Sequence, residues 1–353
     1  MKNLNISCPI NKTGYGIASY NILKELSLQS QVSYFPIGQP SVDSKEDYEL
    51  VTKLLNNRYS ADVNAPYIKI WHQFDLGDHY GKGKYYAYPF FELDTFNDYE
   101  KRSMSVPDAF FVSSSWAKNI LIKNNITQPI HVAPLGVDRQ VFNENIPKTR
   151  NDDKYVFLNI GKWEVRKGHD ILLDLLDKAF PNNENVELWI LASEITNNYS
   201  KPEELIRWKN MYNDDRVKLF SGFETHQEIA NLIVNANCGL YPSRAEGWNM
   251  ELLETMSMNK PVITTNYSAH TEFCNRENAY LVEIEENEKA YDGKAFIGQG
   301  NWAKIDINQF DQIIEHMRYV YNNRIINNYE GINTAKKYSW KNTTDAILKC
   351  ISL

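Results

Sequence analysis

The stretch CGLYPSRAEGWNMELLETMSMNKPVITT, residues 238–265, decides the fold of this chain. It opens with a short apolar run, CGLY, and closes with a second one, PVITT. Between the two runs lie a glycine-containing turn and a helical pattern that begins near Met250. Short apolar runs bounded by turn residues are typical of buried parallel strands. The stretch therefore predicts a strand–helix–strand unit of a parallel sheet.

The same alternation of strand and helix patterns runs through both halves of the chain. Residues 171–180 repeat apolar side chains at helical spacing, and the polar, aperiodic segment 143–153 predicts a linker. Further predicted strands are residues 4–6, 67–71, 85–88, 109–112, 130–133, 155–158 and 186–191. We therefore predict an α/β fold of two Rossmann-like, doubly wound domains that face a central cleft. The first domain is expected at 1–145 and the second at 150–335.

Composition bounds the function. The 353 residues carry a formal net charge of -7, which disfavours nucleic acid as a partner. The four cysteines have no metal-ligand spacing and are expected to be buried free thiols of a reducing compartment. The N-terminus has no apolar leader, and no apolar window is long enough to span a membrane. We therefore expect a cytoplasmic protein, with peripheral membrane contact left open.

Two glutamates flank the turn in the central stretch. Glu246 precedes the turn, and Glu254 follows eight positions later in the helix. The N–H groups at the start of that helix form a seat for a phosphate. A carboxylate accepts two hydrogen bonds and so pairs well with vicinal hydroxyls. One ligand could therefore be held twice, its sugar by Glu246 and its ribose by Glu254, although two glutamates at this spacing also arise by chance on a helix surface.

This stretch resembles the E-x7-E signature of retaining GT-B glycosyltransferases, in particular family four. NIGKWEVRKG at 159–168 is similar to the family's G-R-x4-K-G element, and PLGVD at 134–138 to its P-x-G-V-D element. The three elements stand in the family's order. The resemblance implies a GT-B fold and a retaining, metal-independent transfer of a hexosyl group from a UDP- or GDP-sugar. It also implies that a C-terminal helix, 338–353, returns to the first domain.

The resemblance assigns a donor site to the second domain. Glu246 is expected to contact the donor sugar, and Glu254 the ribose. Lys162 and Lys167 would neutralise the departing diphosphate without a metal, although the family more often has arginine at the position of Lys162. The other expected donor-binding residues are Gly14 and Gly16 of a first-domain loop, Gly247, Trp248, Asn249 and Met250 of the turn, and Glu272.

The catalytic residue of the first domain has two candidates. Glu92 lies in FELD, which resembles a W-E-L run in part of the family, and His72 follows the predicted strand 67–71. Either side chain could contact the donor sugar or take the acceptor proton. No D-x-D run is present, and the carboxylates of Glu92 and Asp94 are the nearest alternative. We therefore expect no metal and no cofactor beyond the nucleotide-sugar substrate.

The acceptor is left open between a glycan, a lipid-linked sugar and a protein. Two rival functions also stay open, namely a sugar-nucleotide epimerase and a non-catalytic sugar- or nucleotide-binding module on the same scaffold. A phosphorylase of the glycogen type would need a pyridoxal-phosphate lysine and usually a much longer chain. Fold alone does not choose among these, because specificity depends on a few hydrogen bonds in the site.

Overall fold

The structure is a computed structural model that describes residues 2–181, 185–193 and 202–351. The chain divides into two compact units. Unit 1 comprises Met1–Gly136 together with Tyr338–Leu353, and unit 2 comprises Val137–Lys337. Each unit has a parallel sheet with helices in the connections, as predicted from the alternation of patterns.

Among the residues described in unit 1, six parallel strands form a sheet with the order β2-β1-β3-β4-β5-β6. The strands are β1 (Lys2–Cys8), β2 (Ser30–Pro36), β3 (Tyr67–Lys69), β4 (Tyr85–Ala87), β5 (Ala109–Val112) and β6 (Ile130–Val132). The connecting helices are α1 (Gly14–Gln29), α2 (Lys45–Asn57), α3 (Asp98–Met104) and α4 (Ser115–Lys123), with a 3-10 turn at Arg58–Ser60. Because the strand order reverses between β1 and β3, the loops after these strands border a crevice at the carboxyl edge of the sheet.

In the described part of unit 2, six parallel strands form a sheet with the order β12-β11-β10-β7-β8-β9. The strands are β7 (Tyr155–Lys162), β8 (Val186–Ser193), β9 (Val217–Phe220), β10 (Cys238–Tyr241), β11 (Val262–Asn266) and β12 (Tyr280–Glu283), and an antiparallel hairpin follows with β13 (Asn287–Tyr291) and β14 (Ile297–Ala303). The helices are α5 (Leu172–Ala179), α6 (Pro202–Met211), α7 (His226–Asn235), α8 (Met250–Ser257), α9 (His270–Phe273), α10 (Ile307–Asn322) and α11 (Tyr329–Lys337). The order reverses between β7 and β10.

The core of unit 2 explains why these segments fold as they do. The apolar stripe of α5, with Leu172, Leu175 and Leu176, packs in one cluster with Phe157 of β7 and Met317 of α10. All five side chains are fully buried. Such a stripe of apolar residues at helical spacing stabilises the unit by removing apolar surface from water. The sheet is thereby fixed, and its carboxyl edge becomes a rigid platform for the loops.

The boundary between the units differs from the predicted end of the first domain at residue 145. Unit 2 begins at Val137, before the polar segment that predicted the linker. Phe142 is buried, and its carbonyl oxygen accepts a hydrogen bond of 2.6 Å from Ser257 Oγ in α8. Arg139 Nη1 donates to the same hydroxyl oxygen at 3.1 Å. Side-chain packing thus places 137–142 with unit 2, although composition changes only later.

The C-terminal helix α12 (Trp340–Ile351) belongs to unit 1, where it packs against α1. Thr343 Oγ1 donates to the carbonyl oxygen of Pro134 at 2.6 Å. A Cβ atom on Gly136 would lie only 2.2 Å from the backbone nitrogen of Trp340. The glycine therefore permits the close approach of the two backbones.

Two further predictions concern covalent and membrane chemistry. The four cysteines are free, with Cys8, Cys238 and Cys274 buried and Cys350 partly so. Within the described ranges, no helix combines the length and the apolar character needed to cross a bilayer.

Candidate active site

The loops that follow β7 and β10 are joined at the carboxyl edge of the unit 2 sheet. The N–H of Arg244 donates to the carbonyl oxygen of Arg166 at 2.7 Å. Gly168 has a φ of +81°, and a Cβ atom there would lie 2.6 Å from the carbonyl oxygen of Pro242. Arg244 also forms a bidentate pair with Asp170, with distances of 2.8 and 2.9 Å. Strand order and these contacts bring the two sequence motifs together at the position where such sheets bind ligands.

We call the two joined loops, after β7 and after β10, the junction. Glu246 lies at its centre and is 4% exposed. Its Oε2 accepts a hydrogen bond from Arg166 Nη1 at 2.7 Å, and its Oε1 accepts one from Ser243 Oγ at 2.9 Å. Lys167 Nζ lies 3.1 Å from Oε1. Burial alone would raise the pKa of Glu246, but the charges of Arg166 and Lys167 outweigh it and hold the pKa well below its usual range. The carboxylate is therefore ionised and fixed.

Lys162 and Lys167 occupy different environments. Lys162 ends β7 and is exposed, whereas Lys167 is 6% exposed and also lies 3.8 Å from Glu251 Oε2. Burial alone would lower the pKa of Lys167, but Glu246 and Glu251 raise it above its ordinary value. Gly161 gives the Lys167 stem its space, because a Cβ atom would lie 2.5 Å from Lys167 Cδ. The structure thus provides one buried, paired cation and one exposed cation beside the same strand end.

The turn GWNM forms the start of α8. Gly247, Trp248 and Asn249 are buried and Met250 is partly buried. Asn249 adopts a left-handed conformation with a φ of 78°, and its side-chain oxygen accepts from the N–H of Leu252 at 3.2 Å. The N–H groups of Met250 and Glu251 lie in the first turn, where a helix offers N–H groups no intrahelical acceptor, so they point out of the helix end. This end can receive an anion.

His270 supports the same turn from α9. Its Nε2 lies 2.9 Å from Asn249 Nδ2, and its Nδ1 lies 3.0 Å from the carbonyl oxygen of Thr265. These partners assign the proton to Nδ1, because Nε2 must accept from the amide. Burial lowers the pKa of His270 to about 4, so the ring is neutral. The histidine therefore orients Asn249, a role that sequence reasoning missed.

Glu254 differs from Glu246 in its surroundings. It lies in the second turn of α8 and is partly buried. In the part of the chain that the structure describes, its carboxylate makes neither a hydrogen bond nor an ion pair. Burial, together with the charges of Glu251 and Asp138, raises the pKa of Glu254 well above its usual range. A ligand that donates hydrogen bonds from its hydroxyl groups would stabilise the ionised form of this carboxyl group.

Glu272 lies in the short helix α9 and is partly buried. Its N–H donates to the carbonyl oxygen of Ala269 at 3.1 Å. The N–H of Ala269 in turn donates to the carbonyl oxygen of Glu246 at 3.3 Å. Glu272 is therefore connected to the junction through backbone hydrogen bonds.

In unit 1, the glycine loop lies at the crevice between β1 and β3. Asn11 Oδ1 accepts from the Thr13 hydroxyl at 2.6 Å, and Thr13 caps α1 by accepting from the N–H of Gly16 at 3.3 Å. A Cβ atom on Gly16 would lie 2.3 Å from both oxygens of Asn11. Gly14 is exposed at the start of the helix. The geometry thus requires a glycine at position 16 for the loop itself.

His72 and Glu92 both lie near Tyr15, a residue that sequence analysis did not single out. The rings of Tyr15 and His72 are 4.4 Å apart, and the ring of Phe74 stacks on His72 at 5.0 Å. The Tyr15 hydroxyl donates to the carbonyl oxygen of Phe90 and accepts from its N–H, each at 2.8 Å. Burial and the charge of Glu92 raise the pKa of Tyr15. His72 therefore packs in an aromatic cluster with Tyr15 and Phe74, and the charge of Glu92 acts on Tyr15 of this cluster.

The described residues contain no cluster of side chains suited to bind a metal ion. No group of three or more histidine, cysteine, aspartate or glutamate side chains among them is arranged to hold an ion. Asp94, the second carboxylate of the D-x-D alternative, accepts a hydrogen bond from the adjacent Thr95 hydroxyl at 3.0 Å.

Comparison with known proteins identifies the domain that carries the junction. Residues 141–295 match the family model "Glycosyl transferases group 1". This segment is therefore similar to group 1 glycosyltransferase domains. The matched segment contains β7 and β10, both loops of the junction, and α8.

The curated relatives of this chain are distant. It is 28% identical over 177 residues to the MMP alpha-(1->4)-mannosyltransferase of Mycolicibacterium hassiacum, with 49% of the chain and 41% of that relative covered. The chain spans about half the length, or less, of the curated relatives it matches.

Solved structures show the fold over the whole chain. The sucrose-phosphate synthase of Thermosynechococcus elongatus superposes with a TM-score of 0.69 at 12% identity, covering 100% of this chain and 98% of that one. Anabaena HepE, solved in complex with UDP-glucose, gives a TM-score of 0.67 at 12% identity, covering 100% and 99%. The two Rossmann-like units are therefore those of the GT-B glycosyltransferase fold.

Proposed function

We propose that this protein is a retaining, metal-independent glycosyltransferase that moves a hexosyl group from a UDP- or GDP-sugar to a glycan, lipid-linked or protein acceptor. The proposal depends most on one observation. A buried, ionised Glu246 and Glu254, whose carboxylate has no partner among the residues that the structure describes, lie before and after the same helix N-terminus, with Lys167 beside it. Sugar, diphosphate and ribose would then meet Glu246, the helix end with Lys167, and Glu254 in that order.

The proposed chemistry uses charges that the chain already holds. An acceptor hydroxyl oxygen would bond to the anomeric carbon while the bond from that carbon to the diphosphate oxygen breaks. The diphosphate would leave with the electron pair on the same face, and one of its oxygens would take the acceptor proton. Lys167, exposed Lys162 and the N–H groups of α8 would stabilise the developing negative charge. These groups supply positive charge without a metal.

The relatives support the direction of this proposal. The Mycolicibacterium relative is named as a mannosyltransferase, and the Anabaena structure holds UDP-glucose. In unit 1, Glu92 and His72 are proposed to contact the donor sugar or the acceptor hydroxyl, because His72 packs on Tyr15 of the glycine loop and the charge of Glu92 acts on the same tyrosine.

A nucleotide panel tests the donor site. Thermal midpoints would be measured with UDP, GDP, ADP, CDP and their glucose or mannose conjugates, for wild type and Glu254→Ala. A ligand at about 100 times its dissociation constant adds roughly 2.7 kcal/mol to stability. We expect one base to stabilise wild type and to stabilise Glu254→Ala less. A folded protein that no nucleotide stabilises would contradict the proposal.

Glu246→Ala tests turnover. We expect it to abolish transfer while the nucleoside diphosphate still binds. NMR of the product formed by wild type reports the anomeric configuration, and inversion would contradict a retaining reaction.

Activity that disappears on exhaustive treatment with EDTA and returns with a divalent cation would contradict metal independence. Turnover of the donor sugar without any acceptor would favour the epimerase instead.

A further inference from the structure

Arg166 contacts both loops of the junction and is buried, with 6% of its surface exposed. Its Nη1 donates to Glu246 Oε2 and to the carbonyl oxygen of Ala245, each at 2.7 Å. Its Nε and Nη2 donate to Glu164 Oε2 at 3.0 and 2.7 Å. The guanidinium therefore bridges the loop after β7 to the loop after β10.

We propose that Arg166 is a positioning residue that aims Glu246 at the donor sugar, so that preference for a nucleoside diphosphate sugar over the bare nucleoside diphosphate depends on it. This inference rests on the proposed function. Arg166 is not expected to touch the donor, because its donor groups face Glu246, Glu164 and the backbone of Ala245. Its effect on sugar binding would pass through the carboxylate.

The shape of the guanidinium explains why a cation alone would not suffice. Arg166 Nη1 reaches the carboxylate of Glu246 and the backbone next to it, while the opposite side of the guanidinium holds Glu164. A planar fork can fix two partners at once, whereas an ammonium group acts as a point charge. Glu164 thus fixes the orientation of the Arg166 guanidinium, and the guanidinium fixes the carboxylate of Glu246.

The electrostatics point the same way. Without Arg166, the chief remaining cation at Glu246 would be Lys167, and burial would raise the pKa of the carboxyl group. A protonated Glu246 would lose acceptor capacity toward sugar hydroxyls. Several charged or titratable groups face Glu246, its two cations or Glu164. They are Arg166, Lys167, Lys162, Glu164 and neutral His169 in and after β7, Glu251 on α8 and neutral His270 on α9.

The test is the ratio of two affinities measured by calorimetry. UDP-glucose is compared with UDP, and GDP-mannose with GDP, for wild type, Arg166→Met, Arg166→Lys and Glu164→Gln. Arg216→Met serves as the matched control, since Arg216 forms its own ion pair with Asp214 within unit 2, outside the junction. The bare nucleotide reports the diphosphate and ribose contacts, and the ratio isolates the sugar.

At about pH 6 we expect Arg166→Met to lower the preference for the sugar nucleotide by about tenfold or more, with affinity for the bare nucleotide nearly unchanged. The preference should recover in part as the pH is raised, because a higher pH favours the ionised carboxylate of Glu246. Arg166→Lys should lose less and show little dependence on pH. Glu164→Gln should reduce the preference mildly, and Arg216→Met should leave it unchanged.

The outcomes separate the two proposals. Nucleotide binding in wild type with the same preference in every Arg166 variant would overturn the role of Arg166 and leave the proposed function intact. Equal loss of affinity for sugar nucleotide and bare nucleotide would also overturn it, since Arg166 would then act on the whole site. Wild type that binds none of the four ligands would overturn both. If Arg166→Met does not fold, Arg166→Lys and Glu164→Gln carry the same comparison.

Discussion

At the scale of single residues, Gly161 controls the position of Lys167. Gly161→Ala would place a methyl group 2.5 Å from Lys167 Cδ and push the ammonium away from Glu246. We expect affinity for a nucleoside diphosphate to fall about tenfold, because one buried charge contact is lost. Calorimetry with UDP and GDP measures this loss. Gly77→Ala is the control, since no atom lies within 4 Å of its Cβ position, and equal affinities in all three proteins would contradict the prediction.

A second residue-scale prediction concerns acid stability. Burial lowers the pKa values of His169 and His270 to about 4 each. Between the ordinary histidine pKa of about 6.5 and the folded-state value of about 4, the unfolded chain binds protons at these two side chains and the folded chain does not. The free energy of unfolding therefore falls as the pH drops from about 6.5 to about 4. The slope should approach about 1.4 kcal/mol per pH unit for each histidine.

Thermal or denaturant melts across this pH range measure the slope. His270→Gln should remove the contribution of one histidine and leave that of His169. An unchanged slope in the variant would show that His270 takes up its proton without unfolding.

The candidate site was predictable only where neighbours in sequence define it. Glu246 and Glu254 could be proposed from the sequence because a strand, a turn and a helix fix their spacing locally, and because this stretch resembles the E-x7-E signature. Arg166 was missed, since its partner Glu246 lies 80 positions away and nothing local shows that the side chain turns inward. Tyr15 was missed for the same reason, because its hydroxyl partner Phe90 lies 75 positions away.

At the scale of elements, the cap of α8 couples stability to the site. Asn249 combines a positive φ with a side chain that caps the helix. Asn249→Gly would lose the cap but tolerate the backbone, whereas Asn249→Ala would lose the cap and strain the backbone. We expect a loss of about 1–2 kcal/mol for alanine and a smaller loss for glycine. Denaturant unfolding of both variants measures the order, and a more stable alanine variant would contradict it.

The elements that the sequence predicted share a strong local pattern. Strand β7 is a continuous apolar run, and α5 has an apolar stripe. Strand β9 was not predicted, because it is a largely exposed edge strand and lacks a continuous apolar run. The hairpin β13–β14 was not predicted, because it contains glycines with positive φ and its sequence resembles that of a loop. Its base is held by distant contacts, such as the N–H of Ala303 on the carbonyl oxygen of Arg244 at 2.9 Å.

At the scale of the whole molecule, unit 1 depends on α12. Gly136→Ala would force the backbone of Trp340 away and weaken the contact of α12 with Pro134 and α1. We expect a loss of about 2 kcal/mol or more, confined to unit 1, as is common when a tightly packed position is overfilled. Limited proteolysis should then cut within unit 1 first, while Gly77→Ala should resist as wild type does. Cleavage that begins in unit 2 would contradict this.

The path of the chain through the two units also has a temporal consequence. Because unit 1 is completed by residues that follow unit 2 along the chain, a ribosome releases all of unit 2 before the last helix of unit 1 is available. Domains generally fold as units and in order of synthesis. Here the first unit to begin emerging would be the last to finish. Chaperones that hold nascent chains would meet an N-terminal sheet that still lacks its last helix, α12, after unit 2 has been synthesised.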